Sequence, residues 1–379
     1  MLDLPLQGVR VLDLTRLAPG PFASLALADL GAEIIKIEEP SRGDPLRYLL
    51  VSGTDRRNVL FDLLNRNKKS VTLNLKAREG TAILLELARD ADVLLEGFRP
   101  DVMKRLGLDH AALSTVNQGL IYMSISGYGQ TGPYRSRAGH DLNYLALGGL
   151  LAITGTPDGP PAVPGVPMAD LVSGLWAALG VIAALLGREH TGRGQYLDLS
   201  MLDSVVALLA VPLHGWLATG CVPQRGKMPL SGKQACYNMY ETADGEHMAL
   251  GALEPHFWQA FCMAVGRQDW LERQNDVDQA SLIAELAALF RTQPRAYWTA
   301  FFAAHDCCCE PVLSLDEVFT HAQVVHRGLL RDGRLATPLA PQGVPLVPAP
   351  ELGEHTAEIL AELGYTLEDV EDLQQRGVV

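Results

Sequence analysis

No apolar run in this chain reaches the roughly 20 residues that cross a bilayer. The longest, Leu171 to Leu186, is interrupted by Ser173, Gly174 and Gly180 and reads as a buried core helix. The opening Met1-Leu2-Asp3-Leu4-Pro5 carries neither a basic segment nor a long apolar one, so no signal peptide is visible. Both absences lead us to expect a cytoplasmic protein with no membrane partner. Basic charge is also short. The 31 Lys and Arg face 44 Asp and Glu, a net charge of -13, which argues against a nucleic-acid partner because phosphate neutralisation needs a basic face. Low-complexity tracts are missing, and 48% hydrophobic with 20% charged residues fits a folded enzyme. Six cysteines include the run Cys307-Cys308-Cys309 but no C-x-x-C spacing. Neighbouring side chains on a strand point to opposite faces, so we expect a core strand over Cys308–Leu313 and no metal site.

What is present is a strand-helix rhythm. Val9–Leu14, Glu33–Ile37, Ser70–Leu75, Val93–Leu95 and Leu120–Ile125 read as buried strands, with helices over Phe22–Leu30 and Gly80–Arg89 between them. That alternation predicts an α/β domain with a mostly parallel sheet and helices on both faces. A dinucleotide site is disfavoured. Ala18-Pro19-Gly20-Pro21 stands where G-x-G-x-x-G would, and proline removes backbone donors. After the helix from Leu171 and the strand Tyr196–Leu199, a second apolar segment runs from Asp203 to about Leu217. The Gly/Pro/Lys-rich stretch Pro223–Lys233 is then a linker. Beyond it, Tyr237–Thr242, Asp244-Gly245 and His247–Gly251 form a hairpin pattern. Helices follow around His256–Val265, Leu282–Phe290 and Tyr297–Ala304, which together make a small α+β domain. The expected division is 1–200 completed by 330–379, a helix and linker over 201–232, and the small domain over 233–329.

The chemistry concentrates in a few places. His140-Asp141 follows the glycine-rich Ser126–Pro133 loop, itself after a strand, where α/β enzymes bind ligands. Asp170 stands where a helix N-cap belongs. Histidine and a separate carboxylate suit proton transfer to opposite faces of a carbon, and the acid alone suits a covalent acyl intermediate. Glu254 precedes Pro255, which can open a helix. Arginine suits bidentate phosphate contacts, which singles out Arg99 and Arg105. Basic residues cluster in Asp55-Arg56-Arg57-Asn58 and in Arg66, Lys68 and Lys69. The second cluster reads either as a nucleotide 3′-phosphate contact or as a plain basic loop.

Taken in order, these segments resemble the class III CoA-transferase and α-methylacyl-CoA racemase family over nearly the whole chain. The carrying motifs are Leu17-Ala18-Pro19-Gly20-Pro21-Phe22, Asn65-Arg66-Asn67-Lys68-Lys69-Ser70 and Gly97-Phe98-Arg99-Pro100. They continue with Gly127-Tyr128-Gly129-Gln130-Thr131-Gly132-Pro133, Gly139-His140-Asp141-Leu142-Asn143-Tyr144, Ala169-Asp170 and Gly251-Ala252-Leu253-Glu254-Pro255. The resemblance implies a Rossmann-like large domain, a small domain, an interlocked homodimer, an acyl-CoA substrate and no cofactor beyond its CoA moiety. It makes Asp170 catalytic in both branches. His140-Asp141, Glu254 and the Ala18 position resemble the racemase branch. Asp170-Leu171-Val172-Ser173-Gly174 departs from its usual Phe and glycines, and Glu39 stands where a basic residue is common. The expected reaction is 1,1-proton transfer on a 2-methylacyl-CoA by His140 and Asp170, with Asp141 and Glu254 tuning them. Backbone donors of a helix starting at Asp170 are expected to meet the enolate. The alternative is CoA transfer through a covalent intermediate on Asp170. The CoA contacts implied are Leu73, Asn74, Leu75, Lys76, Gly97, Phe98, Arg99, Arg105, Gly139 and Tyr144.

Overall fold

The computed structural model describes residues 4–49 and 58–379. Within it the chain divides into two units. One comprises 1–148, 164–208 and 325–379, and the other 149–163 and 209–324. Residues 149–163, inside the expected 1–200 stretch, therefore group with the second unit. Most of the basic Asp55–Asn58 cluster lies outside the described residues. Asn58 accepts a hydrogen bond from the Leu60 N–H and caps the helix Val59–Asn65.

The first unit is built on six parallel strands: β1 (Arg10–Leu14), β2 (Glu33–Glu38), β3 (Lys68–Thr72), β4 (Val93–Glu96), β5 (Ile121–Ser126) and β6 (Tyr196–Ser200). Their order is β3-β2-β1-β4-β5-β6, that of doubly wound α/β sheets. The inner strands are largely apolar because helices cover both faces, whereas the edge strands β3 and β6 carry polar residues. Alternation sorts the side chains. Leu12, Leu14, Ile35, Ile37 and Leu94 join one core with Leu84 and Leu87 of the helix Arg78–Arg89. Val11, Ile34, Val93, Leu95 and Met123 join the other with Ala23 and Leu27 of the helix Pro19–Asp29. The chain end returns to the first core through Ile359, Leu360, Val370 and Leu373. It also hydrogen-bonds to β3, with the Thr72 N–H donating to Thr356 Oγ1 at 3.0 Å.

Three helical segments differ from expectation. The first opens at Pro19, because a proline needs no hydrogen-bonded N–H in the first turn and its φ is already helical. The apolar helix covers Met168–Thr191, 24 residues, so its length does not exclude a span. Its packing places it instead. Ala177, Val181 and Leu185 are buried in the second core, and a Cβ at Gly174 would fall 2.7 Å from the Pro19 carbonyl oxygen. Only glycine lets the two helices approach so closely. The apolar segment from Asp203 is two helices, Met201–Ala207 and Ala210–Thr219. Pro212 has no N–H to give the Leu208 carbonyl, so one continuous helix would lose that bond.

In the second unit the hairpin forms as β7 (Tyr237–Glu241) and β8 (His247–Gly251), joined by β9 (Cys309–Pro311) in an antiparallel sheet. The strand expected over Cys308–Leu313 is shorter, because Cys308 is exposed with a left-handed φ of +55° and ends the bend before β9, while Cys307 and Cys309 are buried. The core is aromatic, with Trp258, Phe261, Trp270, Phe290, Trp298 and Phe302 all buried.

The basic motif on β3 is structural. Arg66 forms a fully buried bidentate pair with Asp29 at 2.5 and 2.7 Å and donates to the Leu335 carbonyl. Lys68 Nζ donates to Ser24, Asn65 and the Pro21 carbonyl and pairs with Asp13. Lys69 pairs with Glu33 and Glu358. Arg66 and Lys68 therefore cannot reach a 3′-phosphate, which corrects that option. Replacing Arg66 by Met strands a buried Asp29 carboxylate. Arg66→Met should cost about 3–5 kcal/mol, read as a lower urea midpoint, whereas a midpoint equal to wild type contradicts the pairing.

Candidate active site

The sheet order turns between β1 and β4, and the crevice outside the carboxyl ends of those strands is where such sheets bind ligands. The loops after β1 and β4 meet there, with the Arg16 guanidinium 4.6 Å from the Phe98 ring centre.

The first loop is held from below by a buried charge network. The Asp13 carboxylate accepts the Thr15 N–H at 2.9 Å and the Thr15 and Ser24 hydroxyls. Lys36 Nζ donates to the Thr15 carbonyl and pairs with Asp44, each at 2.9 Å. Asp44 in turn accepts the Leu17 N–H at 3.2 Å. Leu17 has φ +66°, a left-handed conformation that costs a branched-chain residue energy and persists only when its surroundings hold it. Burial raises the Asp13 carboxyl, but Lys68 and Lys36 outweigh it and hold the group below the usual range. The same burial lowers the Lys68 ammonium.

Two cavities flank the loops. One, of about 840 Å³, is lined by Leu73, Asn74, Leu75, Lys76, Gly97, Phe98, Arg99 and Arg105, together with Arg16, Lys36, Glu38 and Glu39. Eight of the ten expected CoA contacts thus line one space. Among the described residues Arg99 and Arg105 make no ion pair, and both side chains stay available to an anion. The second cavity, of about 320 Å³, shares Arg16, Gly97, Phe98 and Arg99 with the first. It adds Gly127, Gly139, His140, Tyr144 and Asp170.

His140 precedes the helix Asp141–Leu147, where its N–H donates to Asn143 Oδ1 at 3.0 Å. The Tyr144 hydroxyl donates to the Gly139 carbonyl at 2.7 Å. A Cβ at Gly127 would lie 2.4 Å from that hydroxyl, so the glycine is what admits the tyrosine. Burial, followed by Tyr128 and Asp170, pushes the Tyr144 phenol up to about 12, while Arg99 opposes. It therefore stays a donor.

Asp170 is the third residue of its helix, not the N-cap, because Met168 opens the helix after Pro167. Asp141 supplies the cap in its place. Its Oδ1 accepts the N–H groups of Ala169 at 2.7 Å and Asp170 at 3.2 Å. Those two donors are consequently taken and cannot meet an enolate, which corrects the expected oxyanion role of this helix end. The arrangement also sets two acids side by side. Burial first, and the Asp141 charge second, push the Asp170 carboxyl up to about 6, where a group can both give and take a proton near neutrality. Glu254 lies in the second unit, exposed, at the N-cap of the helix Pro255–Ala264.

Sequence reasoning did not single out Arg16, Arg135 and Arg137, which line the second cavity. The Arg135-Ser136-Arg137 spacing just before Gly139 was the available signal. Glu96 was also missed, an acid closing the apolar strand Val93-Leu94-Leu95.

The CoA-transferase family III profile matches residues 6–356. The chain is 36% identical to alpha-methylacyl-CoA racemase of Homo sapiens over 390 residues, covering 99% of this chain and 98% of that protein. It is also 36% identical to succinyl-CoA:glutarate CoA-transferase of Mus musculus over 400 residues, covering 99% and 90%. The solved structure of a CAIB/BAIF family protein from Brucella suis superposes with TM-score 0.82 at 31% identity, over 95% of this chain and all of that one.

Removing the neighbouring negative charge favours the ionised form, so Asp141→Asn should move the Asp170 midpoint downward from about 6. Carboxyl-carbon NMR titration reads this directly, and a midpoint that stays put contradicts the coupling.

Proposed function

The chain belongs to CoA-transferase family III, and from that membership we propose that it racemises 2-methyl-branched acyl-CoA thioesters by 1,1-proton transfer. The observation carrying this reading is that His140 and Asp170 line one cavity, with the Asp170 carboxyl held near neutrality. In this reading the thioester carbonyl acidifies the α-hydrogen. One group of the pair removes that proton to leave an enolate, and the other delivers a proton to the opposite face, so no bond other than C–H changes. The pair carries a single proton throughout. Each turnover leaves it on the opposite group, so the two directions start from opposite protonation states of the same pair, and exchange with solvent resets them. Gly97–Arg99 and Arg105 hold the CoA moiety, with Leu73–Lys76 beside its adenine. Asp141 keeps the Asp170 carboxyl basic. Glu254 enters only through the family resemblance, as a group tuning protonation.

The second reading is CoA transfer between carboxylic acids, favoured by the equal identity to a succinyl-CoA:glutarate CoA-transferase. There the Asp170 carboxylate attacks the thioester carbonyl, expelling CoA thiolate and leaving an acyl anhydride. The thiolate returns to the Asp170 carbonyl and frees the donor acid. The acceptor carboxylate then displaces the thiolate as a new anhydride, and the thiolate finally takes the acceptor acyl group and restores Asp170. One enantiomer of a 2-methylacyl-CoA in deuterated water, without acceptor acid, separates the two. Racemisation predicts α-deuteration with loss of optical activity, falling about 10²–10⁴-fold in His140→Ala. Acid-dependent CoA transfer without exchange, and an acyl adduct trapped on Asp170, would establish the second.

We also infer a homodimer of the Rossmann-like and small domains, interlocked as in the family. Its support is the outer face of the Met168–Thr191 helix, where Leu175, Trp176, Leu179 and Leu186 are all exposed. Apolar surface of that kind on one helix calls for a covering partner. Sedimentation should give a dimer for the wild type and a weakened one for Leu179→Asp. A monomeric wild type contradicts the inference.

A further inference from the structure

Behind the loop shared by the two cavities, β4 ends in an acid that the reaction above does not use. Glu96 is 4% exposed. Its Oε2 accepts the Phe98 N–H at 2.8 Å and its Oε1 bonds the Ser124 hydroxyl of β5. The Ser124 Oγ accepts Gln130 Nε2 at 3.0 Å, and the Gln130 N–H donates to Asp198 at 3.0 and 3.1 Å. One chain of hydrogen bonds thus runs from the Gly97–Arg99 loop to the glycine-rich loop after β5. Both loops line the second cavity.

We propose that Glu96 is a positioning residue for CoA binding: its carboxylate draws in the Phe98 N–H and thereby sets the loop that carries Arg99. This rests on the acyl-CoA reading of the crevice and goes beyond it, because Glu96 lines neither cavity and acts through the backbone of Phe98. The donors are arranged for a charged acceptor. Phe98 N–H and Ser124 O–H both point at the carboxylate, and Gln130 occupies the serine oxygen from behind. A hydrogen bond to an ionised carboxylate is shorter and about twice as strong as one to a neutral group, so loss of the charge slackens the loop.

The surroundings make that charge titratable. Glu96 lines a further cavity of about 280 Å³ together with Tyr196 of β6, Tyr122 of β5, Asp109 and His110 at the start of the helix His110–Val116, and Asp101, Lys104 and Arg99. Asp198 of β6 acts on it from outside that lining. Burial pushes the Glu96 carboxyl up to about 7 against the pull of Ser124 and the Phe98 N–H, and Asp198 adds to the rise. The sign follows. Below that value Glu96 is neutral and the loop is held weakly, and above it the carboxylate clamps Phe98 and CoA binds more tightly.

The test is calorimetric titration of CoA into wild type and Glu96→Gln across one pH unit either side of this midpoint. Glutamine keeps the shape and an acceptor oxygen but cannot ionise. Dividing the two dissociation constants at each pH cancels the ionisation of the CoA phosphates. The ratio of variant to wild type should rise about fivefold with pH. Asp198→Asn, which removes an exposed charge, should keep the step and shift its midpoint downward. A flat ratio overturns the proposal, as does a midpoint that Asp198→Asn leaves in place. Wild-type protein that binds no CoA overturns the functional reading and this inference with it.

Discussion

Everything at the crevice depends on a buried ionic network beneath the first loop. Asp13, Lys36, Asp44 and Lys68 are all shielded from water, and between them they hold three backbone groups of that loop: Thr15 N–H, Thr15 carbonyl and Leu17 N–H. Buried ion pairs contribute little net stability, because desolvation takes back most of the Coulomb attraction. What they contribute here is geometry. A left-handed Leu17 persists only under such constraint, and the loop it shapes lines the second cavity.

The same logic recurs at the other loops of the crevice. Each is pinned by an acid at or next to the end of an element: Asp13 just before the end of β1, Glu96 closing β4, and Asp141 opening the helix Asp141–Leu147 while capping Met168–Thr191. A short acid side chain satisfies backbone N–H groups that no regular element can reach. The cost is the burial of charge, with a neighbouring acid adding to it, and it appears as the raised Asp170 and Glu96 carboxyls.

Much of this was legible along the chain because periodicity and motif are local. The strand positions, the β7-β8 hairpin and the eight residues around the larger cavity follow from alternation, turn residues and ordered motifs. Helix starts were less legible. The first helix was placed from Phe22 although its first turn already accepts Pro19, and Asp170 was read as a cap although Asp141, 29 residues earlier, does the capping. The Arg66, Lys68 and Lys69 motif shows the limit most plainly. A run of basic residues looks the same whether it meets a phosphate or a buried acid.

The sequence by itself determined the α/β layering, the family, and which residue types stand at the carboxyl ends of the strands. Those depend on neighbours a few positions away. Only the tertiary structure decided which charges are spent on one another and which remain for a ligand. Asp29 with Arg66, Asp141 with the Asp170 turn and Glu96 with Phe98 and Ser124 are committed, while Arg99 and Arg105 are not paired among the described residues. The reason is physical: a side chain's charge partner is set by burial and by long-range contact, and neither is written in the spacing of the residues around it.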